Sequence, residues 1–126
     1  MTLDNLDKTF SEYVRLRDRI SGTQYIKCIS SGKIVHWKEA DAGHFINRKH
    51  LSTRWDEQNV NAQSRADNRY DEGNMAGYSL GLKQKYGPQI IEKLLWKKQQ
   101  TVKFTQSEIT LLCKHYRKLV NELKQK

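Results

Sequence analysis

Apolar positions recur at helical spacing near both ends of the chain and at strand spacing only in a short stretch between them. Leu6, Phe10, Tyr13 and Val14, with the stem of Arg17, share one face of a helix predicted over residues 5–20. Asp4 or Asn5 is its expected N-cap, and Ser21-Gly22 its end. Tyr25-Ile26-Lys27-Cys28-Ile29 and Ile34-Val35-His36-Trp37, joined by Ser30-Ser31-Gly32-Lys33, predict a β-hairpin. Residues 40–46 read as a further extended piece ending near His44-Phe45, and residues 47–64 as a loop rich in Asn, Arg, Ser and Gln. A helix is expected from about Gln63 to Leu82, interrupted near Gly73 and Gly77, because each glycine costs about 1 kcal/mol in a helix interior. Gly87-Pro88 opens another helix carrying Ile90, Ile91, Leu94, Leu95 and Trp96. Thr105-Gln106-Ser107-Glu108 has capping-box form, and Ile109, Leu112, Cys113, Tyr116, Leu119, Val120 and Leu123 follow at helical spacing. That stripe either seats the last helix on the protein's own core or forms a coiled-coil-like seam with a second copy.

These elements predict an α+β fold that is mostly helical. A short β-hairpin and helix form its centre, at about residues 22–84, and a basic helical part follows at 87–126. No Pro- or Gly-rich linker divides the chain, so residues 1–126 read as one domain. With 37% hydrophobic residues and a mean hydropathy of −0.87, the core is modest. No stretch approaches the roughly 20 apolar residues of a membrane span, and none resembles a leader. Two distant cysteines, Cys28 and Cys113, suggest no disulfide framework and suit a reducing cytoplasm.

The charge changes the picture further. The chain carries +9, and residues 87–126 hold nine Lys or Arg against three Glu, which leaves +6 there. An excess of this size favours a polyanion, because neutralising phosphates releases condensed counterions. Aromatic residues interleaved with Lys and Arg point the same way, toward nucleic acid.

Candidate chemistry is concentrated around Asp41-Ala42-Gly43-His44, with Asn59, Asn68 and Asn74 lying 15, 24 and 30 positions after the histidine. Hydrolysis of a phosphodiester needs an activated water, charge neutralisation at phosphorus and help for the departing oxygen. His44 can take the proton from water near neutral pH. Asn68 is the first candidate ligand for a hard divalent cation and Asn74 the second, with Asp41 either orienting the imidazole or ligating through water. Asn59 is expected to tie loop to strand. Gly43 is expected to let a backbone or phosphate approach. Arg48, Lys49, Arg54, Arg65 and Arg69 are the expected phosphate contacts, with Arg48 close enough to the base to join the catalytic group.

This arrangement resembles the HNH, or ββα-metal, nuclease motif, and Asp-Ala-Gly-His is similar to the Asp-Arg-Gly-His motif of related non-specific nucleases. A closer likeness spans roughly residues 10–86. It rests on Phe10 to Asp18, Cys28-Ile29-Ser30-Ser31-Gly32, Trp37, Ala42-Gly43-His44-Phe45, Asn59, Gln63, Asn68, Gly73-Asn74, Tyr78 and Leu82, which resemble the NinG/Rap family of lambdoid phages. The resemblance implies a recombination endonuclease acting on branched or partly single-stranded DNA, such as Holliday junctions and D-loops, in the host cytoplasm. It also implies two Cys-x-x-Cys pairs forming a zinc knuckle. Here the positions read Cys28 and Ser31, then Ser64 and Asp67, so three of four thiolates are absent. Serine is a poor zinc ligand, and structural Zn2+ is not expected; Cys28, His36 and Asp67 form the one zinc set that ligand rules leave.

The expectation is therefore a DNA endonuclease dependent on Mg2+ or Mn2+, with a homodimer through the last helix as the way to make two symmetric cuts. The first rival is a non-catalytic DNA-binding accessory protein that kept the fold. The second is a protein-interaction module working through the last helix.

Overall fold

The computed structural model describes residues 1–126. Helix α1 is Leu3–Arg17. Strands β1 (Tyr25–Lys27) and β2 (Ile34–His36) pair antiparallel, with Ile26 opposite Val35, and a 3-10 turn at Trp37–Glu39 follows. Strand β3 (Ala40–His44) pairs antiparallel with β4 (Val60–Ser64), from Ala40 opposite Ser64 to His44 opposite Val60. The connection between them holds the short helix α2 (Leu51–Arg54). A π-helical turn at Ala66–Tyr70 then leads to α3 (Met75–Tyr86), α4 (Ile90–Lys98) and α5 (Gln106–Lys124). No helix is long and apolar enough to cross a membrane.

Helix α1 begins earlier than its apolar pattern implies. Thr2 is the N-cap, with its hydroxyl accepting from the Asn5 N–H and the Asn5 side chain accepting from the Thr2 N–H, so Asn5 completes the box instead of starting it. At the other end α5 carries the capping box of Thr105 and Glu108. The two helices pack together. Leu6, Phe10 and Val14 meet Ile109, Cys113 and Tyr116 in one core, which Trp55 and Val60 complete. Val120 reaches a second cluster with Leu16, Ile26, Trp37, Ala40 and Ala62. The α5 stripe is thus spent within the chain, and a dimer seam along it is corrected: its four inward residues Ile109, Cys113, Tyr116 and Val120 are already buried.

The stretch 47–64 departs most from the loop expected there. It contains α2 and all of β4, and every residue of β4 is buried. Ala62 faces the α1 side. Asn61 and Gln63 point the other way, and their amide nitrogens donate to Gln58, Tyr78, Ser30 and Gly73. The helix expected from Gln63 to Leu82 likewise starts only at Met75, because β4, the π-helical turn and a loop with left-handed Glu72 and Asn74 occupy its first half. Helix α3 then lies hard against the chain at residues 29–30. A Cβ at Gly77 would run into the Ser30 carbonyl oxygen, which is why that helix keeps a glycine despite its low propensity.

Candidate functional site

His44 is the last residue of β3, on a hairpin whose second strand is β4, not the β1–β2 hairpin read from the apolar pattern. Two side chains hold the backbone around it. Asn59 is fully buried. Its Oδ1 accepts from the Ile46 N–H at 2.8 Å, and its Nδ2 donates to the carbonyls of Ile46 (3.1 Å) and Thr53 (3.0 Å). It joins the exit of β3 to α2. The buried Tyr78 hydroxyl donates to the Gly43 carbonyl at 2.6 Å.

The His44 ring lines a cleft of about 490 Å3 together with Asp7, Asp41, Arg48, Arg54, Asn68 and Arg69. Its Nε2 lies 2.9 Å from the Arg54 carbonyl oxygen. A carbonyl oxygen only accepts, so the neutral ring carries its proton on Nε2 and leaves a lone pair on Nδ1. Burial lowers the imidazole pKa below 6.5, and the Arg48 and Arg54 cations add to that, outweighing the Arg54 carbonyl and the Asp7 charge. Burial and the neighbouring cations thus favour the neutral ring over the imidazolium.

Asp41 does not touch the imidazole, contrary to the orienting role expected of it; the Arg54 carbonyl takes that place. Its carboxylate instead accepts from Asn68 Nδ2 at 3.0 Å and from Arg69 Nε and Nη2 at 2.8 and 2.9 Å. Partial burial alone would raise the Asp41 pKa, but these bonds and the Arg69 and Arg65 charges hold it below the ordinary carboxylate value. Asn68 sits on the π-helical turn, beside Gly43. A Cβ at Gly43 would strike Gln63 Oε1 and approach Asn68 Oδ1 to 3.3 Å, so the missing side chain makes room for two carboxamides and not for a backbone or phosphate. Gln63 Oε1 is the one buried side-chain polar atom without a hydrogen-bond partner.

The structure does not bring Asn74 to the cleft. It caps α3, with Oδ1 accepting from the Gly77 N–H at 3.2 Å and Nδ2 donating to Asp67 and to the Ser30 carbonyl. A ligand role beside His44 is corrected on that ground. The expected phosphate contacts also divide. Arg48, Arg54 and Arg69 line the cleft, but Arg54 is largely buried in its pairing with Asp7. Arg65 turns to Glu39 and the Lys38 carbonyl, and Lys49 is exposed outside the cleft.

Cys28, Ser64 and Asp67 of the knuckle-like positions do meet. The Cys28 sulfur accepts from the Ser64 N–H at 3.2 Å and lies 3.3 Å from Ser30 Oγ, which donates to Asp67 at 2.6 Å. Burial would raise the thiol pKa, and hydrogen bonds from Ser30, Ser31 and Ser64 overcome it and lower it. His36 is not part of this group: its Nδ1 accepts from the Lys38 N–H. The zinc set of Cys28, His36 and Asp67 is therefore not assembled.

Asp7 is the cleft residue that sequence reasoning missed. It lies between Leu6 and Phe10 on α1, 37 positions before His44, and only the fold brings it there. The donors that suit a divalent cation are the Asp41 carboxylate and the Asn68 carboxamide oxygen. No group of three or more His, Cys, Asp or Glu side chains joins them. Two hard oxygen donors are of the kind a Mg2+-like ion takes while keeping several of its own waters, but here Arg69 occupies both Asp41 oxygens.

Searches of curated proteins and of solved structures found no match. The family model described as Bacteriophage Lambda NinG protein matches residues 2–126, and the chain belongs to that family.

Proposed function

We propose that this phage recombination-related protein is a DNA endonuclease dependent on a divalent metal. The observation that carries the reading is the placement of the His44 ring. Its Nε2 is tied to a carbonyl and its Nδ1 is unengaged, in the same cleft as the Asp41–Asn68 oxygens and three arginines. His44 Nδ1 takes the proton from the attacking water. Asn68, with Asp41, holds Mg2+ or Mn2+, which when bound supplies positive charge at the phosphate and at the leaving oxygen. Arg48 and Arg69 hold phosphates on either side of the scissile one, and Asn59 keeps β3 and α2 in register. The substrate class follows from the family likeness: branched DNA such as Holliday junctions or D-loops, met in the bacterial host cytoplasm. A homodimer making paired cuts would use a surface other than the inward stripe of α5.

The test is a nicking assay on supercoiled plasmid and on a four-way junction in Mg2+ and in Mn2+, parent against His44→Ala. Metal-dependent cleavage lost in the variant, with DNA binding retained in a gel shift, supports the reading. One observation favours a non-catalytic DNA-binding accessory protein instead: Arg69 occupies both Asp41 oxygens. Binding without cleavage by the parent in either metal selects that second reading.

A further inference from the structure

The Arg54 carbonyl that fixes the His44 ring belongs to the end of α2, and α2 has little of its own to hold it. It is four residues long, far below the length at which a helix is stable alone, and its N-cap His50 makes no side-chain capping bond. Asn59 holds it from one side through the Thr53 carbonyl. From the other side it is held by Asp7 of α1. Asp7 Oδ1 accepts from Arg54 Nε (3.1 Å) and Trp55 Nε1 (3.0 Å), and Oδ2 accepts from Arg54 Nη2 (2.5 Å) and Arg48 Nη2 (2.8 Å). All four donors come from the segment after β3, two of them from the residue whose carbonyl meets His44.

We propose that Asp7 is a positioning residue: by clamping Arg54 and Trp55 it aims the Arg54 carbonyl at His44 Nε2 and so selects the tautomer that leaves Nδ1 unprotonated. Asp7 touches neither ring nitrogen of His44. It acts through the backbone at the end of α2, and it sets Arg48 and Arg54 side by side at the cleft. A carboxylate suits this task because its two oxygens accept all four N–H donors, two each, and carry the charge that offsets two guanidinium groups. The catalytic consequence rests on the nuclease reading; the tautomer does not.

The experiment is a long-range imidazole correlation spectrum of the 15N-labelled full chain, parent against Asp7→Asn, with cleavage followed separately. In the parent, neutral His44 is expected as a single tautomer with the proton on Nε2. In the variant, a mixture of both tautomers is expected, together with a cleavage rate lower by about 10–100-fold, the range seen when a partner that orients a histidine is lost. Arg54→Lys, which keeps a cation but loses the fork on Asp7, is expected to give the same mixture and decides the matter if Asp7→Asn does not fold. A folded variant that melts earlier but keeps the single Nε2–H tautomer overturns the proposal and leaves Asp7 a brace. If the parent never cuts DNA but the tautomer responds as stated, the positioning stands and the nuclease reading fails.

Discussion

The Nε2 of His44 and the carbonyl oxygen of Arg54 lie 2.9 Å apart, across the connection between β3 and β4. That one contact assigns the two ring nitrogens different tasks, one held and one available. His44→Ala is expected to lower the cleavage rate by at least about 100-fold, the lower bound for a lost general base. Affinity for DNA, which rests on the arginines and lysines, is expected to hold. Plasmid nicking and a gel shift on the same preparations check both.

The acid side of the rate profile follows from the direction of the His44 shift. Its folded-state pKa lies below 6.5, so the neutral base persists at pH values where a free imidazole is already half protonated. Cleavage is expected to hold at pH 6.5 and to fall only at lower pH. A pH–rate series whose acid limb begins above 6.5 contradicts the assignment.

Asn68→Ala removes the carboxamide from the cleft wall without touching the core. Mn2+ affinity, measured by calorimetry or by water-proton relaxation, is expected to fall more than the roughly 10–100-fold that loss of an outer hydrogen-bond partner costs a metal site. Asn74→Ala, by contrast, is expected to lower stability through the lost cap by about 1 kcal/mol and leave Mn2+ binding unchanged.

Asp18 is expected to contribute to the acid stability. Its carboxylate accepts from Arg17, from Lys85 at 3.0 Å and from the Ala62 N–H at 2.8 Å, and its side chain is 11% exposed. Burial alone would raise its pKa, and these partners reverse that and hold it below 3.8. Its folded pKa is thus below the unfolded one. The stabilisation is complete above about pH 4 and is lost as pH falls through the folded value. Asp18→Asn is expected to destabilise by about 3–5 kcal/mol at pH 7, the cost of breaking a buried pair, and to flatten the acid limb of a melting-temperature series.

Gly43→Ala places a methyl group against Gln63 Oε1 and near Asn68. Overpacking of this kind costs about 1–3 kcal/mol. Urea unfolding is expected to report that loss, and cleavage is expected to fall further than stability alone explains, because the same methyl group also crowds the Asn68 carboxamide at 3.3 Å.

Helices α1, α4 and α5, the first hairpin and the capping box before α5 are legible because their signals are local: spacing, a Gly turn, a hydroxyl three residues before a Glu. His44 and Asn68, singled out by their spacing, do line one cleft, and Asn59 does tie the end of β3 to α2. What escaped were features made by distant pairing. Strand β4 reads Val-Asn-Ala-Gln-Ser and looks like loop, because the amides of Asn61 and Gln63 are buried and their bonding partners lie elsewhere in the chain. Asp7 escaped for the same reason, as its Arg54 partner is 47 positions away. Asn74 reads as a ligand in sequence because an Asn after Gly looks alike whether it ligates or caps, and its bonds to Gly77, Asp67 and Ser30 show that it caps.

The packing of α1 on α5 carries a consequence for how the protein is made. The Thr9 hydroxyl waits for Arg117, 108 positions later, and Phe10 waits for Tyr116. On the ribosome α1 emerges before α5, and the side of it that α5 covers stays bare until α5 follows. The nascent chain should therefore present a chaperone target over that interval, and ribosomes stalled before α5 should display it permanently.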